Sequence, residues 1–297
     1  MAKVCIIGSG FLGTQIGALS ARSGYTVSLQ DISADAFKVS EKSVDEYIKE
    51  WLETGDIKES DVADIKQRIS YTTNLEEAVK DAEMVIEAVV ERLDVKREVF
   101  KHLDELCDPS VLLCTNSSSI KVSKIEDVAK HPERVLNMHF YGYPWRRSVL
   151  ELMKGTQTTD EAIERASLYS KSIGVYPLRV LKESTGFIFN RVWRAIKKEC
   201  LTVVDTGVAT FEDVDRAWVS LYRTGIGPFG LMDRVGLDVV RDIELVYYEE
   251  SGDPRDKPPK LLLDKIEKGE LGVKTGKGFY TYPDPAFTKP GWFHGES

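Results

Sequence analysis

The sharpest chemical hint in this sequence is a pair of side chains. His139 sits in the apolar run Met138-His139-Phe140, and Glu151 sits in Leu150-Glu151-Leu152. Alone, such a histidine is more often a satisfied core residue than a catalyst, and such a glutamate either faces outward or finds a partner. On adjacent strands the two can form a dyad. The carboxylate then holds one imidazole nitrogen, fixes the tautomer and leaves the other nitrogen as a base. That base can take the proton of an alcohol while hydride leaves the carbon. A third polar group, Asn116-Ser117-Ser118-Ser119, follows the apolar run Val111 to Thr115. Ser118 is also a candidate helix cap there.

Alcohol oxidation needs a hydride acceptor, and residues 2–31 point to one. Val4 to Ile7 predicts a buried strand, and Gly8-Ser9-Gly10-Phe11-Leu12-Gly13 follows at once. Leu12, Ile16 and Leu19 recur at helical spacing, and a second strand, Thr26 to Gln30, ends on Asp31. Gly8 makes the tight turn, Gly10 admits a pyrophosphate to the backbone, and Gly13 lets helix and strand pack closely. The helix beginning at Phe11 and Leu12 offers free N–H groups and a partial positive charge to the phosphates. Asp31, about 20 residues on, can accept both ribose hydroxyls and repels a 2′-phosphate. No arginine follows it at once, so this order of elements predicts NAD rather than NADP.

Strand ends must converge to position these groups. Strand patterns recur at residues 69–73, 84–89, 111–115, 134–140, 148–153 and 176–180, alternating with helical ones. Short links between them predict an α/β, Rossmann-like, doubly wound parallel sheet with its ligands at the carboxyl ends of the strands. A helical excursion at about 33–68 has Phe37, Val44, Ile48 and Trp51 on one face and mostly carboxylates on the other. It is expected to protrude as a helical pair. From about Ser184 only helical patterns remain. The expected division is 1–183 for NAD binding and 184–297 for an all-α domain with an extended Pro-rich tail.

Apolar content of 42% and charged content of 30% over 297 residues describe an ordinary globular chain, long enough for two domains. A net charge of −8 argues against nucleic acid or an anionic membrane surface as partner. Cys5, Cys107, Cys114 and Cys200 lack CxxC spacing, so no metal site and no disulfide framework is expected, and a reducing, cytoplasmic setting is.

GSGFLG, VIEAVVERLDVK, TNSSS, NMHF, LELM, TGFIFNR, GPFGLMD and KTGKGFYTY occur in that order. On these motifs the chain resembles the L-3-hydroxyacyl-CoA dehydrogenase family, bacterial 3-hydroxybutyryl-CoA dehydrogenases above all. The resemblance implies that His139 is the base, that Glu151 orients it, and that Ser118 and Asn190 position the substrate oxygen. It places Glu91, Lys96 and Lys274 at the nicotinamide end of NAD, with Asn116 and Ser118 beside the cofactor. It also implies a homodimer joined through the helical domain and a short- or medium-chain L-3-hydroxyacyl-CoA substrate. Blander readings are a helix cap or bridge for Asn190, a surface pair for Glu91 and Lys96, and a mobile loop charge for Lys274.

Two departures fall on the substrate side. The family's HFFNP reads His139-Phe140-Tyr141-Gly142-Tyr143-Pro144, followed by Trp145-Arg146-Arg147. The positions matching CoA contacts are Tyr47 and Thr54, in acidic surroundings. The alternative is therefore a free 3-hydroxy acid or other carboxylated alcohol, its carboxylate bound by Arg146 and Arg147. A third reading is an NAD-binding structural protein without activity.

Overall fold

The computed structural model describes residues 2–295. The chain divides into two compact units after Ile188. The first contains β1 (Lys3–Ile7), α1 (Phe11–Arg22), β2 (Thr26–Gln30), α2 (Ala34–Thr54), α3 (Val62–Gln67), β3 (Ile69–Thr72) and α4 (Leu75–Val79). It continues with β4 (Met84–Glu87), α5 (Leu93–Leu106), β5 (Leu112–Thr115), β6 (Val135–Phe140), α6 (Pro144–Arg147), β7 (Val149–Lys154), α7 (Asp160–Ser172) and β8 (Tyr176–Val180).

The strands form one eight-stranded sheet in the order β3-β2-β1-β4-β5-β6-β7-β8. Alternation along each strand feeds two cores. Val4 and Ile6 join side chains of α1, α2 and α7, whereas Cys5 and Ile7 join Phe100 and Leu103 of α5. Burial pushes the Cys5 thiol up to about 12, so it behaves as a small apolar group.

The sheet departs from the all-parallel expectation at one place. β7 pairs antiparallel with β6, while β8 runs parallel to β7. A parallel crossover needs about a dozen residues or more. Residues 141–148 hold only the short α6, so the chain turns straight back.

The excursion does not protrude. Val44, Tyr47, Ile48 and Trp51 of α2 and Ile65 of α3 are buried in the same core as β1, β2 and α1. Tyr47 is 7% exposed and faces inward, so it is not a surface CoA contact. Thr54 is exposed, but its hydroxyl donates back to the last turn of α2 or to Asp56.

The second unit is helical: α8 (Phe189–Asp205), α9 (Phe211–Tyr222), α10 (Pro228–Val235), α11 (Leu237–Ser251) and α12 (Lys260–Glu267). Two buried aspartates tie its motifs together. Asp215 accepts from the Phe229 and Gly230 N–H groups and from the Tyr280 hydroxyl. Asp233 accepts from the Phe279 and Tyr280 N–H groups and from the Tyr282 hydroxyl. GPFGLMD and KTGKGFYTY therefore brace each other. The Pro-rich end is not simply extended, because Trp292 is 3% exposed in this unit's core. Among the described residues no helix is long and apolar enough to cross a membrane.

Candidate active site

The reversal between β6 and β7 makes the dyad. In the antiparallel register His139 lies directly opposite Glu151, so a residue near the start of β7 meets one near the carboxyl end of β6. Glu151 Oε2 lies 2.8 Å from His139 Nδ1. An ionised carboxylate only accepts, so Nδ1 carries the hydrogen and Nε2 presents its lone pair. Both side chains are buried, at 4% and 0% exposure. The Ile188 N–H donates to Glu151 Oε1 at 2.8 Å, and the Phe187 ring stands edge-on to His139 at 5.3 Å. The imidazole is thus walled by apolar surface and held from one side.

The Asn116–Ser119 turn is fixed next to it. Asn116 Oδ1 accepts the Phe140 N–H at 2.7 Å, and Asn137 donates to the Ser117 carbonyl at 2.8 Å. The Ser117 hydroxyl closes the turn by accepting the Ile120 N–H at 2.8 Å. Ser118 is exposed. No helix begins at this turn, so the helix-cap reading of Ser118 has no helix to cap.

Glu91 and Lys96 are not a surface pair. Lys96 is 1% exposed, and its Nζ lies 2.7 Å from Glu87 Oε1 and 3.3 Å from Glu91 Oε2. Glu87, fully buried, also accepts the Val89 N–H and the Thr115 hydroxyl. Glu91 in turn accepts from the Ser117 and Ser119 hydroxyls and from the Ser118 and Ser119 N–H groups. Burial opposes ionisation of Glu91, but the Lys96 charge and the two hydroxyls outweigh it and hold its carboxyl below the usual range. Sequence reasoning missed Glu87. The available signal was an acid closing the apolar run Met84 to Ile86, with a lysine nine residues later.

The glycine-rich turn fits a dinucleotide. Gly8 has φ +98°, and a Cβ there would meet the Ala88 carbonyl oxygen at 2.7 Å; one at Gly13 would strike the Gly8 oxygen at 1.8 Å. Gly10 faces open space. A cavity of about 540 Å³ is lined by Gly8, Gly10, Asp31, Val90, Val99 and His102, among others. Asp31 Oδ2 accepts from the Ser9 N–H and hydroxyl at 2.8 and 3.0 Å, which braces the turn and leaves the carboxylate at the cavity wall.

The departure at Gly142 has a steric partner. Phe11 of the glycine-rich turn approaches so closely that a Cβ at Gly142 would lie 3.3 Å from its ring, and Phe11 stands edge-on to Tyr143 at 5.6 Å. The rest of the β6–β7 connection is clamped. The Tyr143 N–H donates to Gln15 Oε1 at 2.6 Å, and Trp145 Nε1 donates to Glu50 at 2.9 Å. Arg146 grips Glu50 with two bonds of 2.6 Å. The free-acid reading gave Arg146 a substrate carboxylate, but its fork is already filled by Glu50 of α2.

Of the remaining candidates, Asn190 lies half-buried in the first turn of α8. Lys274 is exposed but no loose charge, since its Nζ lies 2.6 Å from both Asp238 oxygens.

Comparison with known proteins gives consistent matches. Residues 3–184 match the family model of the 3-hydroxyacyl-CoA dehydrogenase NAD-binding domain, and residues 186–282 match that of its C-terminal domain. The chain is 34% identical over 280 residues to a 3-hydroxybutyryl-CoA dehydrogenase of Clostridioides difficile, covering 94% of this chain and 99% of that one. It is 30% identical to the human mitochondrial hydroxyacyl-coenzyme A dehydrogenase, over 94% of this chain and 90% of that one. The crystal structure of (S)-3-hydroxybutyryl-CoA dehydrogenase from Ralstonia eutropha superposes with a TM-score of 0.90 at 31% identity, covering 96% and 100% of the two chains.

Proposed function

The chain belongs to the 3-hydroxyacyl-CoA dehydrogenase family, and on that premise we propose that His139, held by Glu151, is the general base of its reaction. The activity is the NAD-dependent oxidation of a 3-hydroxyacyl-CoA to the 3-oxoacyl-CoA. Bound NAD supplies the hydride acceptor. His139 Nε2 takes the hydroxyl proton as the carbonyl forms, and Glu151 stabilises the imidazolium that results. The observation that carries this reading is the buried 2.8 Å contact between His139 Nδ1 and Glu151.

In the same reading Ser118 and Asn190 position the substrate oxygen. Gly8, Gly10, Phe11, Leu12 and Gly13 receive the pyrophosphate, and Asp31 takes the ribose hydroxyls. Asn116, Glu91, Lys96 and Lys274 serve the nicotinamide end, with Lys96 acting through Glu91 rather than by direct contact. Residues 1–183 are the cofactor domain and 184–297 the helical one. The protein works as a cytoplasmic homodimer in fatty acid metabolism, on short or medium acyl chains. Exposed Phe189, Val192, Val239 and Val246 support pairing through the helical unit.

The test is NADH formation on L-3-hydroxybutyryl-CoA against free L-3-hydroxybutyrate. Turnover on the thioester is expected. Turnover on free acids alone overturns the assignment, and none on any 3-hydroxy substrate returns the structural-protein reading.

Asp31→Ala is expected to weaken NADH by about 1.5–3 kcal/mol, the worth of a hydrogen bond to a charged group, and to relax rejection of NADPH. Titration of both nucleotides checks this. An unchanged preference removes Asp31 from cofactor selection.

A further inference from the structure

Tyr141 stands at the exit of β6, two residues past His139, where the HFFNP motif has phenylalanine. Its ring lies 4.8 Å from the His139 ring at 60°, and its phenol oxygen is closed off from solvent. The charges that act on its phenol are those of Glu151 on β7, opposite His139 in the register, and Arg147 at the end of α6. The segment after β8 brings the Ile188 N–H and the Phe187 ring to the dyad. Burial first, and then the interaction with Glu151, push the phenol's pKa far up against the opposing pull of Arg147. Tyr141 is therefore a neutral donor.

We infer that Tyr141 is a positioning residue whose phenol donates to the Glu151 carboxylate and so sets how strongly that carboxylate holds the His139 imidazole. The inference rests on the reading of His139 as the base. Glu151 is fully buried and already takes His139 on one oxygen and the Ile188 N–H on the other. A carboxylate can accept about four hydrogen bonds, so a third donor is accommodated. In a water-excluded site each added donor spreads the negative charge that faces the imidazole. With the phenol present, the carboxylate pulls less hard on an imidazolium and the base is freed at lower pH. A phenylalanine leaves the carboxylate's charge concentrated on His139, and the protonated, inactive imidazolium persists to higher pH.

Tyr141→Phe removes one oxygen and keeps the ring, so folding is preserved, with NADH affinity as the check. The acid limb of kcat/KM for L-3-hydroxybutyryl-CoA is expected to move up by about half a pH unit to one unit, roughly three- to tenfold in proton affinity. In a Glu151→Gln background the same substitution should leave the limb where it was, because the charge it modulates is gone. A limb unmoved by Tyr141→Phe, or moved equally in both backgrounds, overturns the inference. If the limb is unmoved while His139→Gln is inactive, only the role of Tyr141 falls. If His139→Gln is active, the base assignment falls first.

Discussion

His139→Gln is expected to lower kcat for 3-hydroxyacyl-CoA oxidation by about 10²–10⁴-fold, the usual contribution of a positioned general base. Glutamine fills similar space and can still hydrogen-bond to Glu151, so the loss should be chemical rather than structural. NADH affinity and the thermal midpoint should stay near those of the parent, because the cofactor cavity is lined by other residues. Glu151→Gln should lower turnover less, since the imidazole remains but loses the charge that fixes its tautomer and stabilises its protonated form. Steady-state kinetics with matched NADH titrations read both effects. Near-normal turnover of His139→Gln removes the dyad from the mechanism.

Lys96→Met should be the most destabilising single change near the site. The substitution keeps most of the volume and deletes the one charge that neutralises Glu87, a carboxylate with 0% exposure. Breaking a buried ion pair from one side typically costs about 3–5 kcal/mol, because the surviving charge is left uncompensated. The deficit should depend on pH. Without its cation, buried Glu87 is better tolerated neutral than ionised. Protonation then relieves the variant at low pH, and the relief is lost as pH climbs. The gap in urea midpoint between variant and parent should accordingly be wider at pH 8 than at pH 5. Glu91 also loses its cation, so the Ser117–Ser119 turn should loosen and NADH affinity should fall. An unfolding free energy within about 0.5 kcal/mol of the parent, the range of an ordinary surface change, overturns this account of Lys96.

The sequence by itself determined what depends on close neighbours in the chain. The dinucleotide turn was legible because its logic is local. Gly13 packs against the Gly8 backbone five residues back, and Asp31 reaches back to Ser9; the close approach of Gly8 to Ala88, just past β4, is a long-range contact of the turn. Eight apolar runs of strand length gave the strands, since buried strands need little more than continuous hydrophobicity. His139 and Glu151 were visible as polar residues in apolar company, but their pairing depended on strand direction.

Only the tertiary structure decided that direction. The turn at 141–148 reverses β7 and puts Glu151 opposite His139; a crossover there would have carried it to the far end of the sheet. Tertiary contacts likewise turned Tyr47 from a surface position into core and gave Arg146 an internal partner, Glu50, 96 residues away. They made Lys96 a buried cation where Glu91 and Lys96 could read as a helix-surface pair. Periodicity tells which face of an element is apolar, not which distant charge will meet it. An ion pair across the fold is set by where two elements are carried by everything between them, and that information lies in the packing of the whole unit.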